Sequence, residues 1–284
     1  MQNLNSGSKH TRPRNKCGDG GFSLLEISVV LAIIAIVVGG AVAAFISSLQ
    51  NRAISETQNK LRALQQALYN YRVAYNSLPC PADIQAALSS STFGVEGLEL
   101  ADPESVCSGS NNFVNGKITE GMVPTKTLEL PDDAAIDGWG GRIMYAVDNR
   151  FTASFVSGQL PFTVIPANDM TVRMSICDAT GTAAGVCNNS KETHAAYVLI
   201  SFGPNGHGAY PRNGGATRVS SGSNNADELV NCDCTSTAAV NGTPPAGVFV
   251  QKDATQDYTT PSGTNNFDDI VMYGTRSTLR TPNE

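Results

Sequence analysis

Phe22-Ser23-Leu24-Leu25-Glu26-Ile27-Ser28-Val29-Val30-Leu31-Ala32-Ile33-Ile34-Ala35-Ile36-Val37-Val38-Gly39-Gly40-Ala41-Val42-Ala43-Ala44-Phe45-Ile46 is the stretch on which the fold turns. Between Ile27 and Ile46 only Ser28, Gly39 and Gly40 fall outside the Ala, Val, Ile, Leu and Phe set. About 20 such residues span the hydrocarbon core of a bilayer as a helix. Glu26 is the one charged residue from Phe22 to Leu49. An acid within such a run costs roughly 2.5–3.5 kcal/mol at mid-membrane and less near the surface, so it ordinarily has a partner and a task.

Three readings fit this run. It is an ordinary single-pass anchor with Glu26 reaching the interface. Or it is a secretory signal peptide cut after the small residues Ala41-Val42-Ala43, before Ala44. Or the chain is cut after Gly21, freeing the amine of Phe22. The third accounts for most. Gly21-Phe22-Ser23-Leu24-Leu25-Glu26 and the Ala/Ile/Val-rich helix that follows resemble the N-terminal processing segment of type IV pilins and type II secretion pseudopilins. The resemblance implies cleavage after Gly21 by a prepilin peptidase, methylation of the Phe22 amine, and an inner-membrane helix with its N-terminus cytoplasmic. It also implies assembly with other pilin or pseudopilin subunits, with Glu26 pairing with a neighbour's terminal amine. Low dielectric strengthens that attraction and makes an unpaired acid costly.

Charge and cysteine usage point the same way. The first 21 residues carry Lys9, Arg12, Arg14 and Lys16 against Asp19, whereas the remainder holds 15 basic and 24 acidic residues. A basic head before an apolar run stays in the cytoplasm. Seven cysteines are present, and Cys17 lies in that head. The six beyond it, Cys80, Cys107, Cys177, Cys187, Cys232 and Cys234, suit an oxidising periplasm. Local pairing would join Cys80 to Cys107 and Cys177 to Cys187, while Cys232 and Cys234 either pair with each other or bridge elsewhere. No zinc spacing of two close cysteine pairs occurs. Asp, Glu, Lys and Arg make up 15% of the chain and the net charge is −6, which argues against a nucleic-acid binder, since such a protein would show a basic face.

Beyond Ser47 the sequence turns polar and keeps a helical period. Leu61, Leu64, Leu68, Tyr71 and Tyr75 recur at steps of three and four, giving one apolar stripe to lie on a sheet. Leu78-Pro79-Cys80-Pro81 ends the helix, which would run ~80 Å at the standard rise. Gly39-x-x-x-Ala43 and Gly40-x-x-x-Ala44 permit close helix contact in lipid. Four segments follow: a basic leader over 1–21, a transmembrane segment over 22–48, an amphipathic continuation over 49–78, and a β-rich, disulfide-linked head over 79–284.

Within the head, residues 81–131 read as loops with short apolar pieces. Strands are expected at 143–147, Phe162–Ile165, Thr171–Cys177, Ala195–Phe202, Gly247–Gln251 and Ile270–Tyr273. Ala216–Ala246 and Thr255–Asn266 read as polar surface loops. An antiparallel sheet packed on the helix makes the class α+β. Asp137-Gly138-Trp139-Gly140 with Tyr145 is similar to the Asp-Pro-Trp-Gly…Tyr segment of the major pseudopilin, with Gly138 in place of Pro. Ser201-Phe202-Gly203-Pro204-Asn205-Gly206 with Asp268-Asp269-Ile270 is similar to that family's Gly-rich turn and closing Asp-Ile pair. In that family the intervening loop binds calcium, which here would fall to Asn205, Asp268 and Asp269; calcium needs six to eight oxygens. A turn and a capped strand start account for the same residues more simply. No other cofactor is expected.

These readings converge on a structural filament subunit rather than an enzyme. It would be a minor one, because the mature chain is large for a repeating unit. The alternative is a secreted or anchored enzyme, or an adhesin, behind an ordinary signal or anchor. No Gly-x-Ser-x-Gly elbow or His-Glu-x-x-His metal motif occurs in the sequence.

Overall fold

The computed structural model describes residues 21–99, 107–108, 113–114, 118–152, 172–180, 187, 189–238, 247–255 and 266–279; the side chains at 40–44, 98–99, 108 and 113–114 lie outside that description. The chain divides into two units, Met1–Ser48 and Leu49–Glu284, and helix α1 (Leu24–Tyr75) contributes to both.

In the first unit the described apolar side chains of α1 are solvent-exposed all round, among them Leu25, Leu31, Ile34 and Val38. Among the described residues no helix is long and apolar enough to cross a membrane. The run expected to do so, over 22–48, includes the five positions 40–44 whose side chains are not described.

In the second unit α1 buries Thr57, Leu61, Leu64, Leu68 and Arg72. Their spacing of three and four places them on one face. The stripe expected to reach Tyr75 turns outward before it: Tyr71 is half-buried, and Tyr75 is 64% exposed and stacks on Tyr71 at 4.5 Å. Seven-residue steps drift by about 20° per heptad on a straight helix. The track from Leu61 to Arg72 covers nearly whole turns and stays inward.

The main sheet is antiparallel and five-stranded. Its strands are β3 (Phe113–Val114), β4 (Ile118–Met122), β5 (Met144–Asp148), β8 (Ala195–Ser201) and β10 (Ile270–Thr275), in the order β10-β8-β5-β4-β3. An N-terminal helix with this sheet is the expected α+β arrangement. Every residue of β5 and β8 is buried, so both faces of the centre are covered. β1 (Leu98–Glu99) and β2 (Cys107–Ser108) pair separately.

Several expectations need correction. Residues 81–131 are not wholly loop: β4 lies there with all five residues buried. A second sheet joins β7 (Ser190–Glu192), β6 (Ser175–Cys177) and β9 (Val248–Val250), and its β6–β9 pairing is parallel. Helix α2 (Ala226–Asn231) sits in the stretch read as a surface loop. The strand expected at Phe162–Ile165 lies outside the described residues, as does most of Thr255–Asn266.

Two features fix α1 and the loops on the sheet. The Gly138 N–H donates to Thr57 Oγ1 at 2.9 Å, and a Cβ on Gly138 would lie 2.4 Å from the Ala53 carbonyl oxygen. Only glycine lets the turn approach the helix backbone this closely. Asp137 closes the same turn, accepting from the N–H groups of Trp139 and Gly141 and from Ser201 Oγ at 2.7 Å. Arg142, fully buried, donates to the carbonyls of Ile84, Ala86, Pro211 and Arg212, which joins two loops through one side chain.

Candidate functional site

The N-terminal site is a helix start. Ser23 precedes α1, and Glu26 lies in its first turn. The Ser23 N–H donates to Glu26 Oε2 at 2.9 Å, and the Glu26 N–H donates to Ser23 Oγ at 3.2 Å. This is a capping box, in which two otherwise orphan donors of the helix end are satisfied reciprocally. Its signature is legible in the sequence as Ser-x-x-Glu over Ser23-Leu24-Leu25-Glu26, although the apolar setting of the acid points first to a partner outside the chain. Gly21 and Phe22 lie just outside the helix, and Phe22 is 81% exposed. One carboxylate oxygen of Glu26 is thus held at the helix start, four residues from the Phe22 amine that cleavage after Gly21 would create.

The second site is buried in the head. Glu228, Asp268 and Asp269 each bring a carboxylate oxygen to within 4.8 Å of the others. They are 1%, 7% and 5% exposed. Glu228 comes from α2 and the two aspartates from the approach to β10. Among the described residues no ion pair reaches any of the three.

The donors around the cluster are neutral. Asn205 Nδ2 donates to both Glu228 oxygens at 3.1 Å, and the Asn205 N–H donates to Asp268 Oδ2 at 3.2 Å. Ser223 Oγ and the Asp268 N–H also donate to Glu228. Asn231 Nδ2 donates to Asp269 Oδ2 at 2.8 Å. Asp268 Oδ1 is buried with no partner. Gly203, at φ +61°, makes room for it: a Cβ there would lie 2.6 Å from that oxygen.

Electrostatics follow from this crowding. Burial, then the Glu228 charge, pushes Asp268 up to about 7. The same two causes, in the same order, push Asp269 well above the usual carboxylate range. Three close carboxylates in low dielectric repel one another unless protons or a cation intervene. The donor set is all oxygen, without His or Cys, which suits a hard divalent ion such as calcium rather than zinc. Asp268 also keeps one buried carboxylate oxygen, Oδ1, without a hydrogen-bond partner, so the residues fit the group.

Of the three residues expected to bind calcium, Asp268 and Asp269 lie in this cluster. Asn205 lies beside it but presents donors, while its Oδ1 accepts from the His207 N–H at 2.7 Å. Sequence reading missed Glu228. Its signal was the cap Asn225 ahead of Asp227 and Glu228, a helix-start pattern, and Asn225 does accept from both of their N–H groups.

The six cysteines of the head form three bridges, Cys80–Cys107, Cys177–Cys187 and Cys232–Cys234. The last takes the internal alternative, with Cα atoms 5.1 Å apart, inside the range a disulfide accepts.

Residues 17–42 match the family model of the prokaryotic N-terminal methylation motif. The chain therefore carries the cleavage and methylation signal of type IV pilins and pseudopilins. No curated protein and no solved structure matches the chain.

Proposed function

We propose that the protein is a pilin-like structural subunit, and not an enzyme, of a type IV pilus or a type II secretion pseudopilus. Prepilin peptidase cuts it between Gly21 and Phe22 and methylates the new amine. It inserts in the inner membrane with its N-terminus cytoplasmic and its head periplasmic, then joins a filament through α1. Its size favours a minor subunit at a tip or in initiation. The observation that carries this reading is the methylation motif at 17–42; in a chain cut after Gly21, Glu26 is the fifth residue. Mass spectrometry of the mature chain is expected to find N-methyl-Phe22. A start at Ala44 overturns the reading and favours an exported enzyme or adhesin.

A second reading concerns the head. Glu228, Asp268 and Asp269 hold a divalent cation, calcium by donor chemistry, whose charge neutralises the cluster and stabilises the head. The unpartnered Asp268 Oδ1 is the observation that favours it. At 100-fold excess over Kd, calcium is expected to add about 2.7 kcal/mol, or roughly 5–10 °C in Tm for a domain of this size. Asp268→Asn removes that shift and raises the Tm of the chelator-treated protein, because it removes one of the repelling charges. An identical Tm in calcium and in chelator sinks this second reading and leaves the first untouched.

A further inference from the structure

The cluster depends on a helix of six residues, Ala226–Asn231. So short a helix is marginal by itself, yet it sets two contacts of the site. Glu228 supplies a carboxylate, and Asn231 donates to Asp269. Asn231 is itself held by the backbone of Val250, through Nδ2 to its carbonyl at 3.0 Å and from its N–H to Oδ1 at 2.7 Å. Whatever fixes the end of α2 therefore fixes both the ligand and the residue that orients Asp269.

That end has a specific form. Cys232 is the C-cap, with its N–H on the Glu228 carbonyl. The Asp233 N–H bonds the Val230 carbonyl at 3.2 Å, and the Cys234 N–H bonds the Leu229 carbonyl at 3.0 Å. Asp233 has φ 45°. This pair of bonds around one left-handed residue is the Schellman motif. Glycine is its usual occupant; an L-residue with a Cβ is disfavoured there. Cys232 and Cys234 are the residues on either side of Asp233, and their disulfide closes across it. Both are buried. Arg218 Nη1 donates to the Cys232 carbonyl at 2.6 Å, and Gly208 packs against the sulfurs, where a Cβ would lie 2.8 Å from Cys232 Sγ.

We infer that the Cys232–Cys234 disulfide is a positioning element of the carboxylate site: it locks the left-handed turn at Asp233 that ends α2, and so holds Glu228 and Asn231 against Asp268 and Asp269. The bridge takes the place of the glycine that such a turn ordinarily uses. This inference rests on the cation reading above and adds to it the element that sets the affinity.

The test is calcium titration of the full-length chain in detergent by calorimetry, with far-UV circular dichroism as a check on folding. Three forms are compared: wild type, Cys232→Ser/Cys234→Ser, and the same pair with Asp233→Gly. The double variant is expected to bind about tenfold more weakly, the scale of one non-glycine residue freed from a left-handed conformation. Adding Asp233→Gly is expected to restore most of the affinity, because glycine adopts the turn unaided. A general structural role for the bridge does not predict rescue by glycine. Equal affinity in wild type and double variant overturns the inference, as does a folded triple variant that binds no better than the double. Should the double variant fail to fold, the triple decides alone: folding with near-wild-type affinity supports the lock, and folding with weak binding refutes it. No binding by the wild type overturns the cation site itself and the inference with it, an outcome distinct from the others.

Discussion

Glu26→Ala is expected to leave the chain inserted and cleaved after Gly21, yet to lower its incorporation into filaments by at least about tenfold. For a subunit that works as proposed above, the expectation follows from what the carboxylate would do at each stage. Insertion depends on the apolar run, and removing an acid from it makes the transfer into lipid easier. Alanine is also a better helix former than glutamate, although loss of the capping box with Ser23 costs the helix start about 1 kcal/mol. Assembly differs. A terminal amine packed among apolar helices has to be neutralised, and truncating one partner of a buried charge pair costs roughly 2–5 kcal/mol or more. The measurement is the ratio of the subunit in sheared filaments to that in membranes, by immunoblot, with the N-terminus verified by mass spectrometry. Equal ratios for wild type and variant would remove Glu26 from the assembly step. Glu26→Gln serves as a control, since it keeps the length and a capping acceptor but loses the charge, and it is expected to fail like alanine.

The second large effect belongs to Glu120. It lies in β4, opposite Ala146 of β5, and is 3% exposed. Burial, then the Asp233 charge, pushes its carboxyl up to about 8, against the opposing pull of Arg218. A carboxyl whose folded value is raised stabilises the fold below its unfolded value, near 4.5, and that contribution is lost as pH rises through about 8. The wild-type head is therefore expected to lose stability from about pH 5 to pH 9. At ~1.4 kcal/mol for each pH unit separating the folded from the unfolded value, the Glu120 share is a few kcal/mol. Glu120→Gln stays neutral throughout. It should match the wild type to within ~1 kcal/mol at pH 5 and exceed it by a few kcal/mol at pH 9. Urea unfolding of both proteins at pH 5, 7 and 9 reads this directly. Parallel pH profiles would show that Glu120 is not the group responsible.

Glu120 also shows why part of the head escaped a linear reading. Ile118-Thr119-Glu120-Gly121-Met122 has the composition of a loop, with a glycine and an acid at its centre, yet all five residues are buried. What covers them is supplied by strands and loops far along the chain. Local composition carries no trace of that.

What the sequence determined alone is whatever short-range periodicity encodes. The apolar run from Ile27 to Ile46 and the Leu61-Leu64-Leu68 face are written in side-chain spacing, because a helix turns every 3.6 residues whatever surrounds it. The hearts of β5, β8 and β10 are legible for the same reason, as apolar runs between turn residues. The methylation motif over 17–42 is a linear pattern, so it is legible without any fold. Tertiary structure decided the rest. Glu228 meets Asp268 from 40 residues away, across an insert whose polar composition reads as loop. Gly138 is required because Ala53 of α1 lies against it, a contact that neither segment announces. The Cys232–Cys234 bridge fits because Asp233 turns left-handed at the end of α2. Each of these depends on chain closure over long separations, which fixes distance and burial but leaves no periodic mark in the sequence.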